Sequence, residues 1–137
     1  MHGLHLIAEL YACQGDPRLF DDATTLRELC VGLCQAPGLT PLGVLFHQFG
    51  DREKAGGVTG AVILAESHLT VHTWPETGGV TLDLYVCNFS QDNRAAARSV
   101  CARLIAAFAP ERRVEREIER GSPVNDALPT AQQQANH

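Results

Sequence analysis

From Ala65 to Glu76 the chain reads Ala-Glu-Ser-His-Leu-Thr-Val-His-Thr-Trp-Pro-Glu, bringing a carboxylate, a hydroxyl and two imidazoles (Glu66, Ser67, His68 and His72) into one strand-like stretch. These residue types can carry nucleophilic, acid–base or metal chemistry. A serine hydrolase would use Ser67 as nucleophile, His72 as base and Asp83 as orienting acid. Against it, Ser67 lacks the glycines of G-x-S-x-G and stands beside a strand, not on the strand-to-helix turn that motif requires. A metal site would use His68 and His72, spaced as in H-E-x-x-H on a helix. On a strand, residues four apart are about 13 Å from each other, so one ion cannot take both and no metal is expected. The plainest reading makes Ser67 the end of a tight turn and the histidines half-exposed strand residues bonded to neighbours. The density of Glu-Ser, two histidines, Trp-Pro-Glu and Cys87 on the following strand argues for more than that.

The elements that must position these residues follow from the rest of the chain. Its 137 residues fit one domain. A hydrophobic fraction of 45% with 20% charged residues is that of a folded globular chain. A net charge of -5 offers no basic face for nucleic acid or for an anionic membrane surface. No apolar run approaches the roughly 20 residues needed to span a bilayer. Cys13, Cys30, Cys34, Cys87 and Cys101 are odd in number without a repeated CxxC spacing, and no signal segment precedes them. Reduced thiols in a cytoplasmic protein are therefore expected.

Leu4 to Tyr11 alternates and reads as the first strand. Asp21 or Asp22 can cap a helix in which Leu26, Leu29, Cys30 and Leu33 recur at helical spacing, with Pro37-Gly38 ending it; Cys30 and Cys34 read as small core or face residues, not ligands. Leu42–Phe49, Val58–Ala65, His68–Thr73 and Val80–Cys87 read as four strands, the first two separated by the charged, glycine-bounded segment Gly50–Gly56. Asp92 to Phe108 forms a second helix with an apolar stripe of Ala96, Val100, Leu104 and Ala107, closed by Pro110. Arg113 to Arg120 suits an edge strand. Residues 121–137, rich in Pro, Gln, Asn and Ala, read as a disordered tail. This order predicts an α+β two-layer sandwich over residues 1–120: one antiparallel sheet with two helices on one face, the other face open to solvent, ligand or partner.

The stretch Glu66-Ser67-His68-Leu69-Thr70-Val71-His72-Thr73-Trp74-Pro75-Glu76 resembles the processing and active-site motif of the bacterial S-adenosylmethionine decarboxylase proenzymes. The likeness runs from Gly3-Leu4-His5-Leu6-Ile7-Ala8-Glu9 through Phe46-His47-Gln48-Phe49 and Gly57-Val58-Thr59-Gly60 to Leu82-Asp83-Leu84-Tyr85-Val86-Cys87 and the second helix. It implies self-processing between Glu66 and Ser67 into chains 1–66 and 67–137, with Ser67 becoming an amino-terminal pyruvoyl group. That group would form a Schiff base with a substrate amine and act as a built-in electron sink, so no external cofactor is expected. The resemblance further implies that His72 and Thr59 assist processing and that Cys87 returns a proton to the substrate carbon. Phe49 would stack on adenine, Glu76 would hold the ribose hydroxyls, and Trp74 would line the same substrate site. The product would enter polyamine (spermidine) synthesis.

On one extended strand Ser67 and His72 would be about 16 Å apart and on opposite faces. A homodimer with shared sites is therefore expected, Ser67 and Cys87 from one chain meeting Phe49, Thr59, His72 and Glu76 of the other. The chain departs from the family pattern in the longer loop carrying Asp51, Arg52, Glu53 and Lys54, in Thr77-Gly78-Gly79 after Trp-Pro-Glu, and in Thr59 where serine is common. Both loops border the expected pocket, which keeps decarboxylation of ornithine or arginine open as an alternative. An unprocessed ligand-binding or regulatory paralogue is a further alternative, against which the intact Glu66-Ser67 pair with His72 and Cys87 argues.

Overall fold

Alternation of apolar and polar residues along the strands gives a sheet one face to bury and one to leave open. The computed structural model describes residues 2–88 and 91–121, and in it the strands are β1 (His2–Cys13), β2 (Pro41–Gly50), β3 (Ala55–Leu64), β4 (Ser67–Trp74), β5 (Gly79–Cys87) and β6 (Pro110–Gly121). They form a single antiparallel sheet in the order β2-β3-β4-β5-β1-β6. The expected edge strand is thus an edge, although it is longer than its alternating core and takes in Gly121. The tail anticipated beyond it lies outside the described residues.

The buried face carries Leu4, Leu6, Ala8 and Leu10 of β1, Val58, Val62 and Leu64 of β3, and their counterparts on β4 and β5. Helices α2 (Ala23–Gln35) and α3 (Arg94–Phe108) close over it, as expected. Asp22 is the cap: its Oδ1 accepts the N–H groups of Thr24 and Thr25, two of the donors a helix start leaves unpaired. Along α3 the buried stripe is Ala97, Val100, Cys101, Leu104, Ile105 and Phe108. It is broader than the anticipated one and rotated from it, with Ala96 and Ala107 at its margins, because a helix lying on a sheet buries more than a single i, i+4 row.

A further short helix, α1 (Arg18–Asp21), precedes α2. Its hydrophobic pair Leu19 and Phe20 is buried, and Phe20 meets Phe108 edge to face at 5.4 Å. A single turn of this kind has no periodicity for a sequence reading to find; packing makes it. No helix among the described residues is long and apolar enough to cross a membrane.

Thr73 fastens this layer to the sheet. Buried at 5% exposure, it donates its hydroxyl to the Phe20 carbonyl at 2.7 Å and accepts the Val58 N–H at 2.8 Å. Thr73→Val keeps the shape but orphans a buried acceptor and a buried donor. The expected cost is about 1–3 kcal/mol, read as a lower urea midpoint at unchanged slope.

Candidate active site

Two residues, Ala65 and Glu66, join β3 to β4, with Leu64 and Ser67 paired across the turn. So short a link forces one residue into left-handed backbone, and here that residue is Glu66 at φ 58°. A non-glycine residue pays about 1–2 kcal/mol for this. The strain sits on the acyl side of the Glu66–Ser67 peptide bond.

Ser67 opens β4 with its side chain toward the helices, 9% exposed, and its Oγ accepts the Cys87 N–H at 3.2 Å. The Cys87 side chain lies on the other, open face with Thr81, Asp83 and Tyr85, half-buried as the alternation of β5 requires. The remaining sequence-derived residues gather at the opposite end of β4. Thr59 and His72 are cross-strand partners, with Oγ1 and Nδ1 3.0 Å apart. The Trp74 ring lies 6.3 Å from that of His72. Phe49, exposed at 49%, is met edge-on by His47 at 4.6 Å. Glu76 is exposed in the β4–β5 turn. Within one chain, then, Ser67 meets Cys87 through the Cys87 backbone N–H alone, their side chains being on opposite faces, and Thr59 stands with His72 near aromatic rings. Five positions of strand, about 16 Å, separate the two groups.

Sequence reasoning missed a third group between them. Asp83 Oδ2 lies 2.8 Å from His5 Nε2 and 3.1 Å from His68 Nε2, while Asp83 Oδ1 takes the Thr70 hydroxyl. Asp83 therefore serves His5 and His68 and not His72, which removes the Ser67–His72–Asp83 triad. His68 is spoken for by this group, so His68 and His72 share nothing. All four residues alternate onto the open face, but only the strand register, Thr70 opposite Asp83 and His5 and His68 opposite Tyr85, brings them together. His5, His68 and Asp83 place donor atoms within 4.8 Å of one another, a set of the kind that could hold a divalent cation. In the chain as folded, both imidazoles use Nε2 on the carboxylate.

Burial works to raise the Asp83 carboxyl, but the hydrogen bonds from Thr70, His5 and His68 outweigh it and hold the group below its ordinary value. Ionised, it can only accept, so both imidazoles donate Nε2–H to it. Elsewhere burial does prevail: it pushes the thiols of Cys34 and Cys101 up to about 11 and that of Cys30 higher still, leaving them buried, unreactive residues, as was expected of Cys30 and Cys34.

The family profile described as S-adenosylmethionine decarboxylase matches residues 4–121. A protein from Caldanaerobacter subterraneus subsp. tengcongensis named S-adenosylmethionine decarboxylase proenzyme is 40% identical over 85 residues, 62% of this chain and 64% of that protein. One of the same name from Persephonella marina is 35% identical over 120 residues, 88% of this chain and 83% of that protein. The crystal structure of the adenosylmethionine decarboxylase from Aquifex aeolicus is similar in fold, with a TM-score of 0.75 and 32% identity, covering 93% of this chain and 97% of that one.

A depressed carboxyl value stabilises the fold above the unfolded value, near 3.9, and the contribution is lost as pH falls through the lower folded one. Asp83→Asn is therefore expected to flatten the loss of stability between about pH 5 and pH 2. Urea midpoints measured across that window check it; parallel curves for the two proteins would refute it.

Proposed function

The chain belongs to the S-adenosylmethionine decarboxylase family, and from that premise we propose that it is a self-cleaving, pyruvoyl-dependent decarboxylase of S-adenosylmethionine. The observation that carries the reading is the Glu66–Ser67 junction, a strained two-residue turn whose serine oxygen already sits in a hydrogen bond. Self-cleavage starts when Ser67 Oγ attacks the Glu66 carbonyl carbon. The ester bond forms as the C–N bond breaks, and the hydroxyl proton ends on the freed amine. Loss of the Ser67 α-proton then breaks Cβ–Oγ, and Glu66 leaves as a carboxylate carrying that oxygen. The dehydroalanine left at position 67 tautomerises to an imine, takes up water and loses ammonia, which gives a pyruvoyl end on chain 67–137.

When formed, the pyruvoyl ketone supplies the electron sink that decarboxylation of an amino acid needs. The chain's own residues do the rest. Cys87 lies on the strand beside position 67 with its thiol on the open face; once position 67 is cut free of Glu66 and turns to that face, Sγ returns a proton to the carbon that has lost its carboxylate. Thr59 and His72, already in contact, serve the proton transfers of processing. The exposed rings of Phe49 and Trp74 suit a flat base, and Glu76 suits the paired hydroxyls of a ribose. This aromatic pair favours a nucleoside substrate over ornithine or arginine, which would leave both rings without a ligand.

The site is completed by a second copy of the chain. Tyr11, Leu45, Phe49, Ile63, Trp74 and Ile118 are large apolar residues left exposed, and strand alternation puts them all on the open face. A face of that composition is what an oligomer covers. Antiparallel apposition of two such sheets brings the Thr59–His72 end of one chain to the Ser67–Cys87 end of the other.

Intact mass should show the wild-type chain split into residues 1–66 and 67–137 and Ser67→Ala at full length. Co-expression of Ser67→Ala with His72→Ala should restore cleavage and activity in the mixed dimer, each variant being dead alone; a dead mixture would argue against sharing. Carbon dioxide release from S-adenosylmethionine should exceed that from ornithine or arginine by more than about a hundredfold, as expected where the lost contacts total roughly 3 kcal/mol. Turnover of the amino acids alone would overturn the substrate and leave the pyruvoyl chemistry in place.

A further inference from the structure

Attack by Ser67 on the Glu66 carbonyl needs Glu66 held in a left-handed backbone state that it does not favour, and strain of this kind persists only where the surroundings over-determine it. The turn itself offers little: Ala65 and Glu66 are both exposed. The holding must come from the β4 side. Ser67 Oγ is fixed by the Cys87 N–H. The next residue, His68, is fixed by Asp83 Oδ2, which His5 holds from β1 and whose partner oxygen Thr70 holds from β4. One carboxylate thus cross-ties β1, β4 and β5 at the second residue after the bond to be cut. None of its atoms is among the reacting ones.

We propose that Asp83, with His5, is the positioning device for self-cleavage: by pinning His68 it keeps the start of β4 in register and so holds Glu66 in the left-handed conformation that presents its carbonyl to Ser67 Oγ. A strand end beside a two-residue turn is where a hairpin frays, and fraying here would let Glu66 relax out of that conformation. The inference rests on the self-cleavage reading above and adds to it a residue that is not part of the scissile bond.

The test is the rate at which full-length protein, purified freshly, converts to the 1–66 and 67–137 chains. Asp83→Ala should slow conversion about tenfold or more, the scale set by losing a charge-assisted hydrogen bond. His5→Ala should slow it less. His68→Gln, which keeps an N–H donor for Asp83, should cleave faster than His68→Ala. Hydroxylamine, which cuts esters but not amides, should release no extra fragment from Asp83→Ala, because the delay falls before the ester forms. Should Asp83→Ala fail to fold, Asp83→Asn and His5→Gln, close in shape, are compared in its place. Urea midpoints on each variant separate positioning from bulk stability. Wild-type cleavage rates in well-folded variants, a delay accounted for by the unfolded fraction, or an accumulated ester would each overturn the proposal. A wild-type chain that stays at full length would remove self-cleavage itself, and this inference with it.

Discussion

A β-strand turns each successive side chain to the opposite face, and on β4 that constraint decides what a single chain can assemble. Leu69, Val71 and Thr73 must enter the core for the sheet to hold its helices, so His68, Thr70, His72 and Trp74 are committed to the open face. Ser67 shares the parity of the core residues and is buried with them. No rotamer change carries it to His72. The chemistry-bearing residues are consequently divided into a nucleophile end, whose serine faces the helices, and an aromatic end on the open face, with the Asp83 group between them.

Local stability is distributed to match. The proposed cleavage junction is exposed on its turn side, with Glu66 at positive φ. Immediately beyond it the support becomes dense, with the Cys87 N–H on Ser67, the Asp83 carboxylate on His68 and an uninterrupted β4–β5 ladder down to Trp74. A reactive bond beside rigid strand keeps its geometry without requiring the whole sheet to be strained. The Asp83 carboxylate takes three donors, so a covering surface would not strand that group without partners.

The architecture was largely legible in the sequence because its signals are local. Period-two alternation and the turn-rich segments between apolar runs located all six strands, Asp21 or Asp22 announced the cap of α2, and the motif around Ser67 carried the family. What stayed hidden depends on contacts far apart in the chain. The cluster of His5, His68, Thr70 and Asp83 needs the β1–β5 and β4–β5 registers, which alternation leaves open by two residues at a time. Helix α1 exists because Phe20 finds Phe108, nearly ninety positions away, and the α3 stripe is set by how much of the helix the sheet beneath it buries. The separation of Ser67 from His72, by contrast, followed from counting along one strand.

The strand order has one more implication. A break between Glu66 and Ser67 would divide the sheet into β1, β2 and β3 on one fragment and β4, β5 and β6 on the other, yet β1 lies between β5 and β6, hydrogen-bonded to both along nearly its whole length. The two pieces would be woven through each other, and neither could leave with an intact sheet. Such a protein assembles once, as a continuous thread, and cutting the thread turns a unimolecular folding reaction into an encounter between two fragments. After denaturation its recovery would depend on concentration, so the act that creates the reactive group would also make the mature fold something the chain can reach far more readily before the cut than after it.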